Sequence, residues 1–298
     1  MASPFFPSLT KVWHGESYPA ISPSRPEISA KGKVVIITGG ASGIGSSITR
    51  AFAAGGSTKI AVLARREENL VATKRSIERD FPGTEILGLS TDITNRRQVE
   101  DSFAKIAETF GKIDVFVSSA AYMPTGVPVL SQECDLDDWW QTFTTNILGV
   151  VQATRAFARH AAEGARVLNV STCLATTPPL EPNVSAYAAS KAASSKVFDF
   201  IALENPGLKV FNIHPGLVET EMSLKSGHGG MDHIDLSGNF CLWLASPEAD
   251  FLSGKWVWVN WDVDELKART KEILTTDLLD TKLGGVSFTG FNANVGDI

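Results

Sequence analysis

The chain has 298 residues, of which 43% are hydrophobic and 20% charged, and its formal net charge at pH 7 is −6. This composition is typical of a globular protein with one large α/β domain or two small ones, and the negative charge argues against a general binder of nucleic acid or anionic membranes. Cys134, Cys173 and Cys241 show no metal-ligand spacing and no even framework, which predicts no metal site and a reducing, cytoplasmic compartment.

Residues 1–31 are predicted to be an N-terminal extension. They contain no signal-peptide pattern, and nowhere in the chain do we expect a membrane-spanning run. Five prolines in this stretch oppose a regular helix or a central strand, while four aromatic residues could attach it to a surface. A disordered tail is the alternative, but the number of aromatic residues favours a partly ordered arm. These residues are Pro4, Pro7, Pro19, Pro23, Pro26, Phe5, Phe6, Trp13 and Tyr18.

From residue 33 the pattern alternates between strands and helices, as a parallel sheet requires. Strands are predicted near 33–37, 59–64, 84–90, 113–118, 165–171, 208–213 and 255–259, and helices near 43–55, 66–80, 95–109, 135–162 and 185–204. With right-handed crossovers this gives an α/β fold, a Rossmann-type doubly wound parallel sheet of about seven strands. We expect this domain to span 32–260, followed by a C-terminal helix and tail at 261–298.

A glycine-rich turn follows the first predicted strand. The β-branched run 34–37 leads into Thr38-Gly39-Gly40-Ala41-Ser42-Gly43-Ile44-Gly45, and a helical pattern follows. Strand, glycine turn and helix form the context in which the backbone can approach a pyrophosphate at a helix N-terminus. The alternative, an ordinary glycine-rich turn, does not explain the flanking strand and helix.

The end of the second strand indicates which dinucleotide would bind. A site for NAD usually has an acidic residue about twenty positions after the glycine motif, where it binds the ribose 2′-hydroxyl. This chain has Ala64, Arg65 and Arg66 there, and a guanidinium suits a 2′-phosphate. We therefore predict NADP(H), with helix capping or solvent exposure of the arginines as the alternative.

Tyr187 and Lys191 are spaced to share one face of a predicted helix. A nearby ammonium favours the phenolate, so we expect Lys191 to lower the pKa of Tyr187 toward the range that acid–base catalysis needs. Alone, this pair could equally be a coincidence on a helix surface. It gains meaning from the rest of the chain.

Together these motifs resemble those of the short-chain dehydrogenase/reductase family over roughly residues 33–260. The T-G-x-x-x-G-x-G turn, a helix Asn, the Tyr/Lys pair and a P-G segment occur in the family's order. The resemblance implies hydride transfer between NADPH and a substrate carbonyl, which a tyrosine protonates. The implied catalytic residues are Tyr187, Lys191, Thr172, Ser171 and Asn146. The implied cofactor-binding residues are Thr38, Gly39, Ser42, Gly43, Ile44, Gly45, Arg65, Asp92, Ile93, Tyr187, Lys191, Pro215, Gly216, Val218 and Thr220.

The resemblance also implies individual roles. Asn146 would help hold a proton-relay water, and Lys191 would also hold the nicotinamide ribose. Asp92 would accept a hydrogen bond from the adenine amino group, with an N-cap of the following helix as its alternative. The segment His214–Thr220 would line the nicotinamide, with His214 itself structural.

Two departures from the family pattern affect the site. The family's N-N-A-G is replaced by Ser118-Ser119-Ala120-Ala121, which alters the geometry expected beside the cofactor. The family's pair of serines is replaced by Ser171 and Thr172, and Thr172 takes the place of the residue that orients the substrate carbonyl. Its hydroxyl is kept, although its χ1 angle is stiffer. We expect Thr172 to fill this role, with Ser171 as the alternative.

The substrate pocket is less clear from sequence. Family position suggests apolar walls, which predict an apolar carbonyl substrate, and a substrate-binding loop at 221–235. Ordinary core positions are the alternative for several of these residues. The suggested wall residues are Tyr122, Met123, Cys173, Leu174, Pro179, Met222, Ser223 and Leu224.

The C-terminal part contains alternating tryptophans at 256, 258 and 261, which suit a strand packed against another layer. Asp262 is predicted to cap a following helix, with Glu265 completing a capping-box variant. This extra helix could cover the pocket or a neighbouring subunit. The proline-rich front and tryptophan-rich end resemble reductases of fungal secondary metabolism, more loosely than the family motifs do.

Two further expectations concern assembly and function. The predicted helices around Asn146 and Tyr187 are apolar on more than one side, which predicts a homodimer or homotetramer. A working NADPH-dependent carbonyl reductase or alcohol dehydrogenase is the main hypothesis. The alternative is a cofactor-binding scaffold or sensor with weak or altered catalysis.

Overall fold

The computed structural model describes residues 6, 8–225 and 229–282. Seven strands form one parallel sheet in the order β3-β2-β1-β4-β5-β6-β7, so the sheet is doubly wound and the Rossmann-type prediction is confirmed. The strands are β1 (Val34–Thr38), β2 (Lys59–Ala64), β3 (Glu85–Ser90), β4 (Ile113–Ser118), β5 (Ala161–Val170), β6 (Lys209–His214) and β7 (Trp256–Trp258). No helix in these ranges is long and apolar enough to cross a membrane.

The helices connect the strands and cover both faces of the sheet. Their bounds are α1 (Gly43–Ala54), α2 (Glu67–Asp80), α3 (Arg96–Phe110), α4 (Leu136–Phe143), α5 (Val150–His160), α6 (Ser185–Glu204), α7 (Glu221–Lys225), α8 (Ile234–Leu244), α9 (Val263–Ala268) and α10 (Thr270–Thr275). Short 3₁₀ segments lie at Pro19–Ile21, Pro26–Ile28, Cys173–Ala175 and Pro247–Leu252.

Strand β1 shows how the two layers of core arise. Val35 and Ile37 belong to the buried cluster under α1 and α8, whereas Val34 and Ile36 belong to the cluster under α3 and α5. Successive side chains of a strand point to opposite faces, so a continuous apolar run is what a strand covered on both faces requires. The glycine turn therefore leaves β1 in the middle of the sheet, between β2 and β4.

The structure differs from the sequence expectations in several elements. The helix predicted at 135–162 is divided into α4 and α5 by a π-helical turn, Thr144–Gly149, and β5 starts at Ala161 rather than at 165. Helix α8 was not predicted. It is buried along most of its length and therefore lacks the one-sided apolar stripe that identifies a surface helix.

Residues 8–31, which we call the arm, are ordered against β7 and the segment that follows it. Trp13 forms an antiparallel bridge with Trp261, and Ile21 and Ile28 are fully buried in the cluster that also contains Val263. The Trp13 ring packs edge-on against Trp258. The arm thus covers the β7 side of the sheet.

The C-terminal helices pack on the same side. Val263, Leu266 and Ile273 are fully buried in the cluster that the arm completes. Asp262 caps α9 as predicted, accepting from the amides of Asp264 and Glu265. The capping box is not closed, because the Glu265 carboxylate instead accepts from the backbone amides of Lys11 and Val12 in the arm.

Candidate active site

The glycine turn after β1 is built by close backbone contacts. A Cβ on Gly45 would lie 2.2 Å from the carbonyl oxygen of Gly39, so only glycine allows α1 to start this close to β1. Thr38 is buried, and its Oγ1 accepts from the amides of Ser119 and Ala120 after β4. These bonds tie the ends of β1 and β4 together, a role that the family pattern gives to the Asn that Ser118 replaces.

The exposed part of this turn faces the segment after β6. Ser42 is exposed, Ile44 is half-buried, and α1 begins at Gly43. A Cβ on Gly43 would lie 3.3 Å from the Thr220 side chain. Two of the stretches predicted to bind a dinucleotide therefore meet at the N-terminus of α1, where the helix dipole favours a phosphate.

The two arginines after β2 have different surroundings. Arg66 pairs with Glu221 of α7, with its Nη2 3.1 Å from Oε2. Arg65 is exposed, and within the described ranges no carboxylate lies at ion-pair distance from its guanidinium. Arg65 is therefore the guanidinium that remains available for an anionic ligand at the ends of β1 and β2.

Asp92 and Ile93 follow β3. The Asp92 carboxylate accepts from the amide and hydroxyl of Thr94, and the cap of α3 is Asn95, so the alternative that Asp92 caps this helix is wrong. Ile93 is buried against Gly149 of the π-helical turn, where an added Cβ would lie 2.8 Å from its Cγ1. Contact of Asp92 with an adenine stays a prediction.

Asn146 lies in the π-helical turn and is fully buried. Its Oδ1 accepts from the Tyr122 amide at 2.8 Å, and its Nδ2 donates to the Tyr122 carbonyl and to Ser190 Oγ. Ser190 Oγ in turn bonds the carbonyl of Tyr187. Asn146 thus joins the loop after β4 to α6, and a π-helical turn at such a junction is frequent in functional sites.

Tyr187 and Lys191 lie one turn apart on α6, beside the end of β5. Lys191 is 3% exposed, and its Nζ donates to the Val170 carbonyl at 2.6 Å. An ammonium has three donors, and the described residues supply this one acceptor. Within the same ranges, no protein group hydrogen-bonds the hydroxyl of half-buried Tyr187.

The pKa directions correct one expectation from the sequence. Burial raises the pKa of Tyr187 to about 12, and burial lowers the pKa of Lys191 to about 8. The net direction for the tyrosine is therefore upward rather than downward, because desolvation of the phenol dominates. Tyr187 is a neutral phenol near pH 7.

The two hydroxyl side chains after β5, those of Ser171 and Thr172, differ in exposure and in hydrogen bonding. Ser171 is 2% exposed, and its Oγ bonds Ser195 Oγ at 2.9 Å beneath α6. Thr172 is half-buried, and its Oγ1 accepts from the Leu174 amide at 3.4 Å, a long hydrogen bond. Of the two, Thr172 is the hydroxyl left accessible at the strand end.

The segment after β6 is fixed by residues that are buried in the protein. His214 is buried, its Nδ1 accepts from the Cys173 amide, and burial lowers its pKa to about 3, so it is a neutral structural residue. Pro215 and Val218 are buried, and Gly216 adopts a φ of +85°. Of the predicted substrate-binding loop, residues 226–228 lie outside the described residues.

Sequence reasoning missed several groups that the structure brings to this site. Ser190 bridges Asn146 and Tyr187, Glu221 pairs with Arg66, and Asp232 bonds the backbone at Leu217. For Ser190 a signal existed, since it lies three positions after Tyr187 on the same helix. Contacts of Glu221 and Asp232 depend on how the loop after β6 folds, for which the sequence gives no periodic pattern.

Comparison with known proteins identifies this arrangement. A family model described as short chain dehydrogenase matches residues 33–229. A short chain dehydrogenase/reductase of Claviceps purpurea is 38% identical over 92% of this chain and 94% of its own length, and one from Aspergillus aculeatus, AacuD, is 32% identical over 87% and 90%. A short chain dehydrogenase from Burkholderia cenocepacia, solved in complex with NADP, superposes with a TM-score of 0.70 at 27% identity, covering 78% of this chain and 98% of that one. The chain therefore belongs to the short-chain dehydrogenase/reductase family of oxidoreductases.

Proposed function

We propose that this protein is an NADP(H)-dependent oxidoreductase that transfers hydride between NADPH and the carbonyl of an apolar small molecule, acting as a ketone reductase or alcohol dehydrogenase. One observation carries this proposal. The Tyr187 hydroxyl, which has no hydrogen-bond partner among the described residues, and the buried Lys191 ammonium lie at the carboxyl end of β5, on the same edge of the sheet as the glycine turn after β1.

The residues present fit a dinucleotide. The glycine turn and the N-terminus of α1 suit its pyrophosphate, and Lys191 retains donors for the ribose hydroxyls. Arg65 suits a 2′-phosphate, since its guanidinium has no ion-pair partner in the described ranges. That a structural relative was solved with NADP agrees with this assignment. When bound, the nicotinamide supplies the hydride chemistry.

The protein groups would supply orientation and a proton. Thr172 Oγ1 orients the substrate carbonyl, and Tyr187 donates its phenolic proton to the carbonyl oxygen as negative charge develops there. A phenol with a raised pKa is in its acid form near pH 7, which suits the reductive direction. Lys191, protonated below about pH 8, stabilises the resulting phenolate by its charge.

The role of Asn146 is twofold in this proposal. Its side chain fixes the loop at Tyr122 and the helix at Ser190, which sets the position of Tyr187. The water relay expected from the family resemblance stays a prediction. The side-chain amide hydrogens are both used by protein acceptors, so such a water would have to bond another group of the turn.

The substrate side of the proposal rests on the apolar walls. Leu174 is half-buried beside Thr172, and buried Cys173 lies close enough to Tyr187 to raise its pKa. We propose an apolar carbonyl compound, with a secondary metabolite as the class suggested by the resemblance to fungal reductases. The three cysteines are free thiols, which agrees with a cytoplasmic location.

We also propose a homodimer or homotetramer. The two helices that the sequence marked as apolar on several sides retain exposed apolar residues. Trp140 is 60% exposed on α4, and Phe200 and Leu203 are 52% and 76% exposed on α6. Large exposed apolar side chains on the surfaces of helices are typical of protein contact sites. Sedimentation at several protein concentrations tests this proposal.

The experiment that tests the function is a comparison of NADPH and NADH affinities at one salt concentration, followed by turnover of apolar ketones with the preferred cofactor. We expect tighter binding of NADPH and NADPH-dependent reduction. Equal affinities or a preference for NADH would refute the cofactor assignment. Negligible binding of either would favour a scaffold or sensor.

A further inference from the structure

We propose that Asp232 is a positioning residue that fixes the loop 215–218 for catalysis. This inference rests on the proposed function, in which that loop lines the nicotinamide. Asp232 lies at the end of the predicted substrate-binding loop, outside every motif that the sequence identified.

The first observation is how completely this segment holds the loop. Asp232 Oδ2 accepts from the Leu217 amide at 2.7 Å, and the amides of Met231 and Asp232 both donate to the Leu217 carbonyl. Val218 and Asp232 also form a parallel bridge. Residues 231–232 therefore satisfy both the amide and the carbonyl of Leu217. Among these contacts, the Asp232 carboxylate is the one side-chain group.

The second observation is the close fit at Gly216. Its φ of +85° lies in the left-handed region, and an added Cβ would lie 2.8 Å from Asp232 Oδ2. The carboxylate thus occupies the space where a side chain would stand. Gly216 and Asp232 are matched, because the positive φ turns the next amide, that of Leu217, toward the carboxylate.

The third observation is what holds the carboxylate itself. Asp232 Oδ1 accepts from Asn260 Nδ2 at 3.0 Å, and the same Nδ2 donates to the His14 carbonyl of the arm. The His14 amide donates back to the Asn260 carbonyl at 2.8 Å. Asn260 is fully buried, so this side of Asp232 is anchored in the core that the arm completes.

These contacts require an acceptor on both sides. Two N–H donors, from Leu217 and from Asn260, converge on the two oxygens of Asp232. A carboxylate is acceptor-only, whereas an asparagine would present its NH₂ to one of the two donors. An Asp232→Asn variant therefore keeps the volume of the side chain and loses one of the two bonds.

The test compares Asp232→Asn with Asp101→Asn, the same change at an exposed carboxylate of α3 that lies outside the proposed site. Each variant is assayed for kcat with NADPH, for NADPH affinity, and for affinity to 2′,5′-ADP, which has the 2′-phosphate but no nicotinamide. We expect Asp232→Asn to lower kcat by about 10-fold or more, the scale seen when a reacting group is misplaced. Its affinity for 2′,5′-ADP should match that of wild type, and Asp101→Asn should match wild type throughout.

The possible results separate this inference from the proposed function. An unchanged kcat in Asp232→Asn would overturn the positioning role, and so would a parallel loss of 2′,5′-ADP and NADPH binding, since that would mean general loss of structure. If wild type bound neither NADPH nor 2′,5′-ADP, the proposed function would fail and this inference would fail with it.

Discussion

Tyr18 and Tyr187 lie in two regions of the molecule that differ in how far their polar groups are hydrogen-bonded. The Tyr18 hydroxyl donates to the Trp261 carbonyl and accepts from the Val263 amide, each at 3.0 Å. The Tyr187 hydroxyl has no hydrogen-bond partner within the described part of the chain. Burial raises the pKa of both phenols. Of the two, Tyr18 is the one whose hydroxyl holds parts of the fold together by hydrogen bonds.

The same contrast extends to the charged groups around each tyrosine. Where the arm meets the C-terminal segment, Glu248 accepts from Arg25, Trp243 and Lys267, and Glu265 accepts from two arm amides. At the strand ends, the described residues supply no ion-pair partner for Arg65 and a single acceptor, the Val170 carbonyl, for the Lys191 ammonium. We infer that the arm region supplies stability, whereas the strand ends keep unused bonding capacity for function.

The largest effect is expected from Tyr187→Phe. Loss of the proton donor should lower kcat by about 10³-fold, which corresponds to about 4 kcal/mol of activation free energy, while NADPH affinity stays near that of wild type. Steady-state kinetics and fluorescence titration of NADPH measure the two quantities. Retained turnover would show that another group donates the proton.

The second effect concerns stability and is expected from Glu248→Gln. Its charge-assisted bonds hold the pKa of Glu248 down at about 2, with the Arg25 guanidinium as the main cause. Losing the charge should lower the free energy of unfolding by about 2 kcal/mol. Glu108→Gln, at an exposed pair with Lys105, is the control and should change stability little.

The same carboxylate gives a pH dependence with a defined sign. Since its pKa is lower in the folded state than the ordinary value of 4.5, its contribution is complete above about pH 4.5 and is lost as the pH falls toward about 2. Urea unfolding at several pH values gives the free energy of unfolding of wild type and of Glu248→Gln as a function of pH. The difference between the two free energies should disappear as the pH falls through that window. Parallel curves down to pH 2 would contradict the assignment.

A smaller effect is expected from Arg65→Ala. Loss of the unpaired guanidinium should weaken NADPH binding by about 10-fold and leave NADH binding unchanged, because only NADPH carries the 2′-phosphate. Arg66→Ala is the matched change at the paired arginine and should weaken NADPH binding less. Calorimetry with NADPH and NADH measures the affinity of each variant. A larger loss of NADPH affinity in Arg66→Ala would show that Arg66, rather than Arg65, binds the 2′-phosphate.

The smallest effect sharpens the comparison of the two tyrosines. Tyr18→Phe should lower the free energy of unfolding by about 1 kcal/mol, since it leaves the Trp261 carbonyl and the Val263 amide without a partner, and should leave kcat unchanged. Thermal unfolding and kinetics of the purified variant measure both. Lost turnover with normal stability would show that the arm acts on the catalytic centre.

The sequence predicted those features that follow from periodicity and from local motifs. Strand β1, the glycine turn and α6 with its Tyr187/Lys191 spacing all have such patterns, and the alternation of strands and helices with right-handed crossovers predicted the doubly wound sheet. The π-helical turn could not be predicted, because the apolar residues around Asn146 continue a normal helical period. Nor could the Tyr187 pKa direction be predicted, because it depends on burial of the phenol rather than on its spacing from Lys191.

The arm also has a consequence for how the chain folds during synthesis. Its partners lie far along the sequence, since Lys11 and Glu265 are 254 positions apart and Arg25 and Glu248 are 223 apart. At about 5–20 residues per second, the ribosome needs on the order of 10–50 s to reach these partners after making the arm. Ile21 and Ile28 have no final packing site until then, so the residues made first should be among the last to fold, and a chaperone would have its longest opportunity to bind there.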